Sequence, residues 1–262
     1  YRRHQEELLQ TPSSAPLGSV ADLAAIRAIV NDVLGSGREL LSEPEAKALL
    51  HAAGLPVVPT HIAAADPEAA VREAQAVGFP VVIKILSHQI SHKSDVGGVR
   101  LNLANADEVR EAARAMLARV AAERPGALVD GFTVQPMVKL RQSHELIVGA
   151  SIDPLFGPVI LFGQGGVSVE VVADRALALP PLNGPLAQAL IARTRVAKLL
   201  RGYRDQPAAD MGAIERVLVA ISQLLADVPE IAELDINPLL VNADGAVALD
   251  ARVRLSAKRP AG

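Results

Sequence analysis

Cysteine is absent from the 262-residue sequence, which excludes disulfides and thiolate chemistry and fits a reducing compartment. Aromatic side chains are nearly as scarce: two Tyr, four Phe and no Trp. The core must therefore be aliphatic, and few rings exist on which single-stranded nucleic-acid bases can stack. A basic surplus is missing too. The formal net charge is -3, where a nucleic-acid binder would normally be positive. No apolar stretch approaches the roughly 20 residues of a membrane span, and the opening Tyr1-Arg2-Arg3-His4 has no apolar signal-peptide core. These absences point to a cytoplasmic protein that engages neither nucleic acid nor membrane. The chain starts on Tyr1 rather than Met and is read as a piece of something longer.

What is present is an ordinary globular balance, 50% apolar and 21% charged. A Pro/Ser/Gly-rich linker at 11–19 precedes an amphipathic helix at 21–34. Ser42-Glu43-Pro44-Glu45 starts the next helix, which Gly54 stops. A strand follows at 57–62, a helix from Asp66 to Gly78, and a short strand at 81–85. A further strand at 99–103 precedes a helix at 106–122. β runs then crowd together at 128–138, 145–151, 158–162 and 167–172. Helices at 185–200 and 211–227 lead to a closing hairpin, 231–241 and 246–253, around Asn242-Ala243-Asp244-Gly245. Helices and neighbouring antiparallel strands mix as in an α+β fold.

Three constellations carry chemistry. In the first, KILSHQISHKSDVGG at 84–98, Lys84 lies at or next to the end of a buried-looking strand, and an ammonium there is costly unless it reaches water or an anion. Ser91, His92, Lys93 and the Gly97-Gly98 pair then form a polar loop suited to cradling phosphate. An exposed hairpin with idle charges is the plainer alternative. His88 and His92 stand four apart, but HQISH lacks the glutamate of HExxH and makes a poor helix, so zinc is the weaker option. His92 can instead act as a nucleophile or phosphate carrier. The second constellation is Glu233-Leu234-Asp235-Ile236-Asn237-Pro238 with Asp250. Alternation sets Glu233, Asp235 and Asn237 on one strand face, and Asp250 comes from the partner strand. Asn237 and Asp250 offer hard oxygen ligands for Mg²⁺. The third, Phe162-Gly163-Gln164-Gly165-Gly166, reads equally as a tight turn or as a close approach to a ligand. Glu145 and Glu170, on strands, are ribose or metal contacts at most.

In this order Lys84, SHKSDVGGV, Val134-Gln135-Pro136-Met137-Val138, HELIVGASIDPLFGPVILFGQGG, VEVVAD and ELDINPLL…ALD resemble the ATP-grasp part of NDP-forming acyl-CoA synthetases. These are the ADP-forming acetate–CoA ligases, relatives of the succinyl-CoA synthetase β chain. The resemblance covers about 38–255. The segment RTRVAKLLRGYRDQPAAD is similar to the large single-chain members, some of which carry a GNAT acetyltransferase domain.

The resemblance implies an ATP-grasp domain at 41–255, with two α+β lobes clasping a nucleotide. The lobes would span about 60–137 and about 138–255, with 41–59 packing on the second. Residues 1–40 would be linker and N-terminal helix, and 256–262 a tail. It also implies site roles. Lys84 would bind phosphate, and Ser91, His92 and Lys93 would lie on the phosphate side, His92 as a second phosphohistidine. Gln135, Met137 and Val138 fall on the adenine hinge, where succinyl-CoA synthetases usually carry Glu at the position of Gln135. Glu145 would contact nucleotide, and Asn237 and Asp250 would hold Mg²⁺. The implied cofactors are ATP or ADP with Mg²⁺. The implied partners are CoA-binding and phosphohistidine domains of the parent, with oligomerisation left open. The implied reaction joins an acid to CoA at the expense of ATP, giving ADP and phosphate through phosphohistidine. The alternative is a non-catalytic nucleotide-sensing domain of a GNAT-type protein acetyltransferase.

Overall fold

The computed structural model describes residues 21–90, 93, 95–166, 174–204 and 206–256. The chain divides into two α+β units. The smaller comprises 42–44 and 58–139, and the larger comprises the described parts of 1–41, 45–57 and 140–262.

The smaller unit is a four-stranded antiparallel sheet with two helices. Its strands are β1 (His61–Ala63), β2 (Val81–Leu86), β3 (Val99–Leu103) and β4 (Gly131–Pro136), in the order β1-β4-β2-β3. Helices α3 (Pro67–Val77) and α4 (Ala106–Glu123) are capped as their sequences dictate. Asp66 accepts the Ala69 N–H and Asn105 accepts the Glu108 N–H. Val81, Ile83, Ile85, Phe132 and Val134 face an aliphatic core shared with Ala70, Ala74, Val109, Ala113 and Met116. Strand periodicity then sends Val82, Lys84, Thr133 and Gln135 to the other face, where they are also buried.

The larger unit is built on a six-stranded antiparallel sheet. β5 (His144–Asp153), β6 (Gly157–Gln164), β7 (Arg175–Ala178), β8 (Ile231–Asn242) and β10 (Arg252–Leu255) run in the order β10-β8-β5-β6-β7, and β9 (Gly245–Ala248) also pairs β8. Leu146, Val148, Ile160, Phe162, Leu234, Ile236 and Leu239 enter one core with helices α1 (Leu23–Gly35), α2 (Glu43–Ala52), α5 (Gly184–Ala192), α6 (Ala197–Leu200) and α7 (Met211–Asp227). Helix α1 therefore belongs to this core through Ile26, Val30 and Val33.

Four expectations are corrected. The strand at 57–62 does not form as one piece. Val57 makes an isolated bridge to Ala248, and only His61–Ala63 joins a sheet, because Pro59 has no N–H to donate. The run at 128–138 narrows to β4. The helix at 185–200 is two helices. Asp174, 21 residues away, accepts the N–H groups of Arg195 and Val196 at 2.7 Å each and starts a new turn there. The second strand of the closing hairpin is interrupted at 249–251, between β9 and β10. The strand expected at 167–172 lies outside the described residues.

Candidate functional site

Lys84 is on central strand β2, and its side chain is only 7% exposed. A lone buried ammonium would be untenable. Glu43, at the first turn of α2 and 2% exposed, answers it: Lys84 Nζ donates to Glu43 Oε1 at 2.7 Å. Lys93 Nζ, 17% exposed, donates to the other oxygen, Oε2, at 2.5 Å. One buried carboxylate thus bridges the two lysines of the KILSHQISHKSDVGG stretch. Thr133 stands opposite Lys84 in the β2–β4 register, fully buried, and its hydroxyl has no hydrogen-bond partner among the described residues.

The Gly-Gly pair explains how Lys93 comes back to this point. The Gly98 N–H donates to the Lys93 carbonyl at 2.7 Å, and Ile85 N–H donates to the Gly98 carbonyl. A Cβ on Gly98 would lie 2.9 Å from the Lys93 oxygen, and Gly97 has φ +60°, so side chains are excluded or strained at both positions. Ser91 and His92 lie outside the described residues. His88 is exposed, with its backbone N–H on Asp130. Gln135 is buried on β4 beside Val82. Met137 and Val138 follow the strand, and the Met137 N–H is already bonded to the Pro80 carbonyl.

The larger unit carries Glu145, Asn237 and Asp250. Leu239 pairs with Ala248, and Asp235 with Arg252. From Glu233 to Asn242 both ladders keep one register, so Asn237, two before Leu239, stands opposite Asp250, two after Ala248. On its other edge β8 shifts register against β5: Leu146 faces Leu239, but Val148 faces Ile236. Asn237 and Pro238 together therefore oppose Ile147. That is a β-bulge, a device that re-aims side chains. It also switches the core phase, so that Leu239 and Val241 turn inward after Leu234 and Ile236. The Gly166 N–H donates to Asn237 Oδ1 at 3.3 Å, and a Cβ on Gly166 would stand 2.1 Å from a Glu145 carboxylate oxygen. Glu145, Gly166 and Asn237 are thus neighbours. Asp235 shares this strand face. Burial pushes its carboxyl above the usual range, Asp250 adds to the push, and Arg252 opposes it.

The glycines at 163, 165 and 166 have an internal explanation. Added Cβ atoms would strike the Asp174 carbonyl, the Leu146 backbone and the Glu145 side chain respectively. Close approach is real there, and it is to the protein itself. Sequence reasoning missed Glu43 altogether, because a helix-start motif already accounted for it. Glu170 lies outside the described residues.

Among the described residues no helix is long and apolar enough to cross a membrane. One unit thus holds a carboxylate bridging two lysines, Lys84 buried and Lys93 half-buried, and the other sets Asn237 opposite Asp250 in the β8 register. The chain belongs to the ATP-grasp family, whose domain model matches residues 32–255. It is 37% identical over 233 residues to the acetate–CoA ligase [ADP-forming] I subunit beta of Pyrococcus furiosus, covering 89% of this chain and 99% of that subunit. It is 38% identical over 234 residues to the 4-hydroxybutyrate–CoA ligase [ADP-forming] of Nitrosopumilus maritimus, covering 88% of this chain but 33% of that protein. Among solved structures, the dinucleotide-forming acetyl-coenzyme A synthetase 1 of Ca. Korarchaeum cryptofilum, in complex with coenzyme A, Ca-AMPCP and HgCl+, matches with a TM-score of 0.83 at 38% identity. That match covers 88% of this chain and 99% of that one. The chain thus spans nearly a whole β subunit and about a third of a single-chain ligase. The family and fold expected from the motifs are the ones found.

Proposed function

We propose that this chain is the nucleotide-binding, phosphoryl-transferring part of an ADP-forming acyl-CoA synthetase, an acid–thiol ligase. The observation that carries the reading is the end-to-end match to a β subunit of an ADP-forming acetate–CoA ligase. The chemistry of both units supports it. On the smaller unit, Lys84 and Lys93 supply ammonium donors for the phosphates of ATP or ADP, and Gln135, Met137 and Val138 lie along the strand end assigned to adenine. Charge on a transferring phosphoryl group is stabilised by such fixed cations.

On the larger unit, Asn237 and Asp250 are the Mg²⁺ ligands in this reading, and Glu145 is the nucleotide contact. The donors are of the kind the ion takes: Asn237 Oδ1 accepts one weak bond from Gly166, and the nearby Asp235 carboxyl is pushed up by burial first and by Asp250 second, with Arg252 opposing. Among the described residues no group of three or more His, Asp or Glu forms a ready metal cage. When bound, Mg²⁺ neutralises phosphate oxygens that the protein would otherwise meet as anion against anion. His92 is the proposed phosphate carrier. Its imidazole would accept the phosphoryl group on one nitrogen and return it to ADP, shuttling between this chain and the parent's CoA-binding part.

The test is phosphoryl labelling. The parent protein, with its primary phosphorylated histidine removed, is incubated with γ-labelled ATP and Mg²⁺. Acid-labile, base-stable label is expected in the wild-type segment and none in His92→Ala. Equal label in both overturns the carrier role. Acyl-CoA formation that survives Lys84→Ala, when that variant no longer binds ATP, overturns the catalytic reading in favour of a nucleotide sensor.

A further inference from the structure

The proposed function assigns the two lysines to phosphate and leaves Glu43 without a part. A carboxylate in the middle of a phosphate site is not neutral furniture, because it competes with phosphate for the same donors. One feature argues that it does something else. It spends each oxygen on a different lysine, Oε1 on Lys84 and Oε2 on Lys93. A carboxylate serving only to neutralise Lys84 has no need of the second.

We infer that Glu43 is a positioning residue of the nucleotide site, keeping Lys84 protonated in its buried setting and holding the Lys84 and Lys93 ammonium groups together where the phosphates bind. Burial disfavours a charged lysine, and a hydrogen-bonded carboxylate reverses that preference. Lysine side chains also carry large rotamer entropy, so two of them fixed in advance bind an anion at lower entropic cost. The same pairing of a strand lysine with a helix glutamate prepares the phosphate site of protein kinases. The inference rests on the nucleotide reading given above.

The experiment is a double-mutant cycle on this 262-residue chain. ADP affinity is measured by titration calorimetry with Mg²⁺, and adenosine affinity by competition NMR, for wild type, E43Q, K84A and E43Q/K84A. E43Q is expected to weaken ADP about 10-fold and to leave adenosine unchanged. In the K84A background E43Q is expected to cost less than it does in wild type, because only its hold on Lys93 remains to be lost. E43Q binding ADP as well as or better than wild type, or losses that multiply in the double variant, overturns the inference. K84A binding ADP like wild type overturns the nucleotide reading itself, a separate outcome. If circular dichroism shows E43Q unfolded, E43D takes its place. One methylene shorter, it withdraws the carboxylate from both lysines, so a severalfold loss for ADP with adenosine unchanged supports the inference, and no loss overturns it.

Discussion

The two units handle buried charge in opposite ways. In the smaller, Lys84 and Lys93 are answered from within by Glu43, at 2.7 and 2.5 Å. In the larger, Asp235 and Asp250 face each other's charge, and the Asp235 carboxyl is pushed up, first by burial and then by Asp250. One cluster is complete as it stands and can lend part of its bonding to an anion. The other carries repulsion that a cation would relieve. Under the proposed function, this difference would leave the smaller unit stable before phosphate arrives and the larger unit in want of a divalent ion.

Breaking the self-compensated cluster should have the largest effect. Lys84→Ala removes a buried donor from the proposed phosphate site, and ADP affinity should fall on the order of 100-fold, as truncation of one partner in a buried charge pair commonly costs ~3 kcal/mol. Calorimetric titration checks this, and an unchanged affinity would overturn the nucleotide reading of the smaller unit. Next in size is the larger unit's cluster. Asp250→Asn keeps the oxygen but removes the charge, and Asn237→Ala removes the proposed ligand. Either should raise the Mg²⁺ concentration needed for half-maximal ADP binding about 10-fold, an estimate for losing one hard ligand of a weakly held ion. Equal Mg²⁺ dependence in both variants and wild type would remove the contrast between the units.

Much of this was legible in the sequence, and the rest was hidden for identifiable reasons. The helix start at Asp66 was marked, and Asp66 accepts a first-turn N–H in the structure. Lys84 announced itself as a charge closing an apolar strand, and Asn237 with Asp250 as polar positions on adjoining strands. Glu43 did not. Its local context, Ser42-Glu43-Pro44-Glu45, explains a helix start completely, and its partners lie 41 and 50 residues further on. The break in the 185–200 helix was equally invisible, since Asp174 makes it from outside the segment. The bulge at Asn237-Pro238 could not be seen from alternation, because a bulge is where alternation fails. Contacts set by sheet order, here β1-β4-β2-β3, leave no mark in a local pattern.

The smallest effect tests the contrast most directly, because it should change sign with a cation. Asp235 has its folded-state carboxyl raised, with burial as the first cause and Asp250 as the second. A raised carboxyl favours the protonated form in the fold. Its contribution to stability is therefore fully present below the ordinary aspartate range and is lost as pH rises through the raised value. At neutral pH the wild type holds this group charged at a cost, and Asp235→Asn removes it. The variant should then melt about 1–2 °C higher at pH 7, from roughly 0.5 kcal/mol, and the two proteins should converge as pH falls toward 4. With saturating Mg²⁺ the cation screens the repulsion in the wild type alone, so the advantage of Asp235→Asn should shrink or reverse. Differential scanning fluorimetry over pH 4 to 8, with and without Mg²⁺, reads both parts. An advantage for the variant that is the same in Mg²⁺ as in chelator would show that no cation meets this carboxylate, and the larger unit's charge would then need another reason to be there.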